Sequence, residues 1–290
     1  MEISVYSTAN DAIVNEFTLF EGMFQALRFA DEFIFVDGGS TDGTLEQMKK
    51  FADIDSRIKI YENHWEERMK RSMFSIQKNV ALSHCTKDWC LLMDADEVYS
   101  DEFVGWWKEL KEKAIFFPDT LLQGLWFDTQ HFYGKYNVKC LRDPLLGHKY
   151  YKGKIYAVRN GLGIHHGNAN GDPDGFVDNE DKPLVGAGVA DVKPLSVYHY
   201  GHVRSSKVYL KKKNAIERRF HLDWKDLERW DFEEIMAKCP ECFEESLNNR
   251  HPKIMRKRIE ETVDEKGFVA HEKVIDYYFM FLLEHLQRRD

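Results

Sequence analysis

Apolar and polar positions alternate over residues 2–7 (EISVYS), and Thr8-Ala9-Asn10 closes the run, which is the pattern of a first strand. Val14, Phe17, Phe20, Phe24, Leu27 and Phe29 recur near a helical period and predict a helix over 14–30. Residues 32–36 read as a buried second strand, closed by Asp37-Gly38-Gly39-Ser40-Thr41-Asp42-Gly43-Thr44. Paired glycines allow a tight turn there, and Ser, Thr or Asp can cap a helix over about 44–52. A third strand at 57–61 (RIKIY) and a helix at 66–85, carrying Lys70, Arg71 and Lys78, lead to a fourth strand at 89–93 (WCLLM). Strands alternating with helices imply right-handed crossovers and a mostly parallel sheet whose ligands bind at the strands' C-terminal ends.

Beyond Asp96 the pattern changes. Phe103, Trp106, Trp107 and Leu110 mark one side of a helix over 101–113, and short strand-like runs follow at 121–129, 138–141, 150–156 and 162–165. Residues 167–188 hold many Gly and Asp and little apolar content, which predicts a mobile loop. A last strand at 192–200 ends in His199-Tyr200-Gly201-His202, and helices are expected at about 206–221, 224–237, 252–263 and 271–288. No repeat or low-complexity linker divides the chain, so the expected organisation is one α/β domain over 1–204 with a helical region, 205–290, packed on it.

Composition narrows the class. Hydrophobic residues make up 43% and aromatics 14% of 290 residues, ample for a core. A net charge of −8 argues against a nucleic-acid binder, although 204–219 is a basic segment. Glu2 and Asp11 interrupt any leader-like apolar run, and no stretch is long and apolar enough to span a bilayer, so a cytoplasmic protein is expected. Five thinly spread cysteines fit free thiols in a reducing compartment. Cys239-Pro-Glu-Cys242 has the spacing of half a zinc site; a second pair is missing, although His251 could contribute, and the plain reading is an ordinary pair at a helix end.

The candidate chemistry lies at strand ends. Asp94 and Asp96 follow the apolar fourth strand one residue apart, so in extended backbone they point the same way and can hold a divalent cation, which in turn can hold a phosphate. Asp37 could accept hydrogen bonds from a base or ribose hydroxyl, or could simply be a turn and helix cap. Val98 and Tyr99 exclude a calcium loop after Asp94, and Phe176 excludes one around Asp172, Asp174 and Asp178. No phosphate loop, Gly-x-Gly-x-x-Gly turn or Gly-x-Ser-x-Gly elbow is present.

FVDGGSTDGT after the second strand, IQKNVAL on the next helix and LLMDADE after the fourth, in that order, resemble the family 2 glycosyltransferases of GT-A fold, closest to the bacterial lipopolysaccharide-core branch. The likeness covers 2–105 strongly and about 120–215 loosely. It implies an α/β GT-A (Rossmann-like) fold with a mixed, mostly parallel sheet flanked by helices. It further implies inverting transfer from a nucleotide-sugar donor, with a UDP-sugar expected, to a glycan or lipid-linked acceptor, with Mn²⁺ or Mg²⁺ at the Asp-x-Asp motif. Residue by residue, Thr8 would line the nucleobase pocket, Asp37 would bind base or ribose, Asp94 would face ribose and metal, and Asp96 would ligate the metal. Lys78 stands where the family has Arg, beside a matching Asn79, and keeps the charge without the planar fork. A late histidine completes the metal shell in such enzymes; His199 is the first choice and His202 the second. Arg204, Lys207 and Lys211 could clamp the pyrophosphate.

The family's His-Glu pair near 160 is replaced here by His165-His166-Gly167. The expected general base is His166, with Asp172 or Asp174 reaching in from the 167–188 loop, or a differently organised acceptor site, as the alternatives; the loop could also close over the donor. The basic tail is compatible with peripheral contact at the inner membrane face. Two other readings compete. A sugar nucleotidyltransferase would want a Gly-rich, Arg-containing signature where this chain has Ser7-Thr8-Ala9-Asn10. A non-catalytic nucleotide- or glycan-binding module would explain Lys78 and the missing Glu.

Overall fold

The computed structural model describes residues 1–65, 73–113, 122–144, 152–169, 172–184, 188–220, 225–245 and 251–261. Its centre is the run of strands β1 (Ile3–Ala9), β2 (Glu32–Asp37), β3 (Ile58–Glu62) and β4 (Trp89–Leu92), ordered β4-β1-β2-β3 and parallel throughout. Every residue of β2 and β4 is buried, as expected of strands covered on both faces. Helices α1 (Leu19–Leu27), α2 (Thr44–Ile54) and α3 (Met73–Ser83) make the crossovers.

From β4 the sheet continues antiparallel through β8 (Gly153–Arg159), β6 (Gly124–Tyr133) and β7 (Lys135–Cys140). The long β11 (Val189–His202) pairs parallel with β6 and antiparallel with β5 (Glu97–Tyr99), the short strand after the two aspartates. The expected α/β architecture, a mixed sheet flanked by helices, is the one observed.

One face of the sheet packs on α1, α2 and α4 (Asp101–Glu112) through Phe29, Phe51, Tyr99, Phe103 and Trp107, with Tyr99 and Phe103 stacked at 4.5 Å. Ser100 caps α4 by accepting the Phe103 N–H at 3.0 Å. On α1, Gly22 lets the helix lie against the turn after β4, since a Cβ there would fall 2.6 Å from the Glu97 carbonyl. The other face, with Tyr6, Ile34, Val36, Leu92 and Val158, is covered by α3 and by a hairpin of β9 (His165–Ala169) and β10 (Asp172–Val177).

That hairpin corrects the expected mobile loop over 167–188. Phe176 and Val177 are 3% and 1% exposed and Leu184 is 8% exposed, so a few apolar side chains anchor a segment that is polar on average. The helix expected over 14–30 is confined to α1. Residues 10–17 instead form a loop, with positive φ at Asp11 and Glu16, stitched to the 40–44 turn by Asp11, Ile13 and Val14.

After residue 204, α5 (Ser206–Phe220) follows β11 directly. The helix expected from 224 starts only at Phe232, as α6 (Phe232–Lys238) capped by Asp231. A strand that the pattern did not predict, β12 (Phe243–Glu245), adds to the β7 edge of the sheet. The segment expected as a helix at 252–263 is a 3₁₀ turn, Lys253–Met255, followed by α7 (Arg256–Glu261). The expected helix at 271–288, and Lys70 and Arg71, lie outside the described residues.

The cysteines need a correction. Cys239 and Cys242 are not free thiols: they are joined by a disulfide across the 3₁₀ turn at Pro240–Cys242, with Cα atoms 5.5 Å apart, while Cys85, Cys90 and Cys140 are buried outside any disulfide. Among the described residues no helix is long and apolar enough to cross a membrane.

Candidate functional site

The C-terminal ends of β1, β2 and β4 point toward one edge of the sheet, and the polar residues the sequence singled out collect there. Asp37 ends β2 and is fully buried. Its Oδ2 accepts the backbone N–H groups of Gly39 (2.8 Å) and Ser40 (2.7 Å), where Gly39 takes φ +94°. The other oxygen, Oδ1, is buried without a hydrogen-bond partner, as is Oγ1 of Thr8 on the neighbouring strand. The Trp65 indole, whose Nε1 is also unpartnered, lies on Gly38, where a Cβ would fall 2.4 Å from that nitrogen. Groups buried in this state are costly unless something bonds to them, so this corner is suited to a polar ligand.

Asp94 leaves β4 with each carboxylate oxygen on a lysine: Oδ1 lies 2.8 Å from Lys78 Nζ of α3, and Oδ2 contacts Lys154 Nζ of β8. Lys154 also reaches Glu97 Oε1 at 3.1 Å. Glu97 is fully buried and accepts the Tyr156 hydroxyl (2.9 Å) and the Asp94 backbone N–H (3.1 Å). Burial, reinforced by the Asp94 and Asp96 charges and opposed by Lys154, pushes its carboxyl up to about 7.

Asp96 is met from the other end of the chain. Its Oδ2 lies 2.9 Å from Lys212 Nζ and 3.5 Å from the Arg204 guanidinium, and its Oδ1 lies 3.6 Å from His199 Nε2. Burial alone would raise its pKa, but the charges of Lys212 and Arg204 hold it well below the usual carboxylate range. Burial drops the His199 imidazole to about 4, so at neutral pH the ring is uncharged and able to act as a ligand. Its Nδ1 is 3.2 Å from His131 Nδ1, its register partner on β6. His202, the second choice, bonds the Tyr209 hydroxyl at 2.9 Å.

Arg204 is 1% exposed, donates to the Asn15 carbonyl at 2.8 Å and lies over the Phe17 ring, which Lys212 also approaches at 5.0 Å. Lys207 and Lys211 face solvent. Lys154 and Lys212 are the two cluster residues that the sequence pattern did not single out. A signal for Lys212 existed: Tyr209 is the only aromatic between 204 and 219, it marks the inward face of α5, and Lys212 is three residues further on.

His166 lies inside, 2% exposed. Its Nε2 is 2.7 Å from the Tyr6 hydroxyl, its ring packs on Phe176, and the Asn79 side chain brackets its backbone N–H (2.7 Å) and carbonyl (2.9 Å). Service as a base therefore requires the hairpin to open. Asp172 and Asp174 lie on β10, and their side chains are outside the described set.

For a divalent ion the donors are right in kind: two carboxylates and a neutral imidazole suit Mn²⁺ or Mg²⁺. They are not gathered as ligands. Among the described residues, three potential ligand atoms come within 4.8 Å of one another only at Cys239, Glu241 and Cys242. The Asp94 and Asp96 carboxylates are instead held by the chain's own cations.

Residues 15–135 match the model of the family described as Glycosyl transferase family 2. A stretch of 107 residues is 30% identical to the lipopolysaccharide core biosynthesis glycosyltransferase LpsC of Rhizobium meliloti (strain 1021), covering 32% of this chain and 37% of that protein's length. Among solved structures, S. aureus TarS 1-349 in complex with UDP aligns over 83% of this chain and 70% of its own, at 16% identity and a TM-score of 0.42. The mannosyltransferase PcManGT from Pyrobaculum calidifontis, in complex with GDP-Man and Mn²⁺, aligns over 100% and 76% at 13% identity and a TM-score of 0.40.

Proposed function

We propose that this chain, which resembles the family 2 glycosyltransferases through residues 15–135, is a metal-dependent, inverting glycosyltransferase. It would move a sugar from a nucleoside-diphosphate donor to a hydroxyl of a glycan or lipid-linked acceptor, with 1–204 as the donor-binding domain. The observation that carries the reading is the meeting of Asp94 and Asp96 with Lys78, Lys154, Arg204 and Lys212 beside an Asp37 whose Oδ1 is unpartnered. A buried cluster of this composition matches a ligand that is polar at one end and a diphosphate in the middle.

In this reading Asp37 and the backbone near Thr8 take the nucleoside, and the four cations face the diphosphate. As the sugar departs, negative charge grows on the terminal phosphate, and cations already fixed around it stabilise that charge without reorganising. A divalent ion held by Asp94, Asp96 and His199 would add Lewis-acid stabilisation of several kcal/mol (order of magnitude). The resemblance to LpsC supports a glycan acceptor, and the exposed Lys207 and Lys211 supply charge for an anionic surface near it.

A thermal-shift panel of UDP- and GDP-sugars, each with and without Mn²⁺, tests the proposal. One donor stabilising the protein more strongly with metal than without is the expected result. Equal shifts with and without Mn²⁺ would remove the metal, and no shift with any nucleotide sugar would remove the donor class.

A further inference from the structure

The two aspartates are held in a similar way. Each has one fixed cation: Lys78, with a side chain 7% exposed, for Asp94, and Arg204, with a side chain 0% exposed and tied to the Asn15 carbonyl, for Asp96. Each also has one lysine that is partly exposed: Lys154, 20% exposed, and Lys212, 23% exposed. Both of these have a second partner nearby, since Lys154 already bonds Glu97 and Lys212 lies at the face of Phe17. Among the described residues Lys78, Lys154, Arg204 and Lys212 meet Asp94, Asp96 and Glu97 directly, four cations to three carboxylates, so a bare divalent cation competes with cations already in place. Both Asp94 oxygens carry an ammonium group, so a metal that binds this residue must share an oxygen with a lysine or displace Lys154 from it.

We infer that Lys154 and Lys212 are resident counter-ions that compete with a divalent cation for Asp94 and Asp96, so that the metal enters together with the nucleoside diphosphate and not ahead of it. The diphosphate brings negative charge and gives the displaced ammonium groups new acceptors. Lys154 and Lys212 thereby change partners from carboxylate to phosphate in one step of binding. This rests on the metal-dependent reading above and adds an order of binding, with the residues that impose it.

The test is Mn²⁺ titration followed by the EPR signal of the free ion, on the full chain, with and without saturating UDP, and with UDP binding measured separately by calorimetry. Wild type should bind Mn²⁺ at least about tenfold more tightly when UDP is present. Lys154→Met and Lys212→Met should each bind Mn²⁺ without UDP about 10- to 100-fold more tightly than wild type, and should depend less on UDP. His199→Ala should weaken Mn²⁺ in both conditions, which locates the ion. Circular dichroism melts confirm folding, and Lys212→Gln replaces any variant that melts early. Wild-type Mn²⁺ affinity that is the same with and without UDP would overturn the inference while leaving the metal in place, as would lysine variants that bind Mn²⁺ like wild type. UDP binding with no Mn²⁺ uptake by any protein would instead remove the metal reading, and the inference with it.

Discussion

Gly201 sits between His199 and His202, and a Cβ built on it would lie 2.5 Å from both Cε1 and Nε2 of His199 and 2.6 Å from Asp96 Oδ2. Ordinary contact begins near 3.5 Å, so Gly201→Ala must push both groups away by about 1 Å. Neither yields easily, because His199 is braced by His131 and Asp96 is held by Lys212 and Arg204. Overpacking of this kind costs about 1–3 kcal/mol, which for a chain of this length lowers Tm by about 2–6 °C. Gly105 is the control. It is exposed inside α4 with nothing within 4 Å of its Cβ position, so Gly105→Ala should gain about 0.5–1 kcal/mol from helix propensity alone. Differential scanning fluorimetry reads the opposite signs, and UDP titration with Mn²⁺ should show weaker binding for the alanine at 201 only. A Gly201→Ala protein that melts and binds like wild type would refute the idea that this close approach sets the His199–Asp96 geometry.

Arg258 reaches from α7 to the fully buried Glu21, so Arg258→Ala strands a carboxylate and should cost about 3–5 kcal/mol by urea denaturation. Replacing the pair together, as Glu21→Leu with Arg258→Met, should recover most of that loss. Acid should act on stability through the buried histidines and Glu97, in opposite senses. Burial holds His199 and His251 down to about 4, so as pH falls from 6.5 toward 4 the unfolded chain takes up protons that the folded one refuses. At about 1.4 kcal/mol per pH unit, His199 alone accounts for about 3 kcal/mol, and the more exposed His251 for less. Asp96, with its depressed pKa, keeps its contribution through this window and loses it only at lower pH. Glu97, held up at about 7, works the other way over the same window, because its folded form takes up a proton before the unfolded chain does. The histidine contribution is therefore read as the difference in urea midpoint between wild type and His199→Ala, and a difference that stays constant from pH 7 to 4.5 would contradict it. His166→Ala leaves the buried Tyr6 hydroxyl without its partner and should cost about 1–3 kcal/mol and speed proteolysis of the hairpin. His166→Gln should restore the stability; if it also restores turnover, His166 anchors the hairpin and is not the base.

The part of the fold that could be read from the sequence was the part in which neighbours in the chain are neighbours in the cause. Residues 89–93 form a continuous apolar run because β4 is covered on both faces, and their burial fixes where Asp94 and Asp96 emerge. The Asp37 turn was legible for a similar reason, since its hydrogen bonds close within three residues. Lys154 and Lys212 were not, because they reach their aspartates across 60 and 116 residues of sequence. The 14–30 helix was overdrawn because Val14 and Phe17 keep a helical period while the loop's bonds go to the 40–44 turn and to Arg204 and Arg258. The β9–β10 hairpin was read as a loop because its average is polar, although Phe176 and Val177 decide its fate. β12, three residues long, has no periodicity to display and exists through its pairing with β7.

The loop at 10–17 carries a consequence for synthesis. Its carbonyls and side chains are bound by Arg204, Ser205 and Arg258, so its final shape depends on residues translated long after it. A nascent chain that has cleared the ribosome through residue 204 already displays both aspartates and the Asp37 turn. It does so with Asp96 lacking Lys212 and with Glu21 lacking Arg258. In such an intermediate both carboxylates are short of a counter-charge, which disfavours their burial until Lys212 and Arg258 dock. Lys212 and Arg258 are therefore the last of these counter-charges to be made, after Lys78, Lys154 and Arg204.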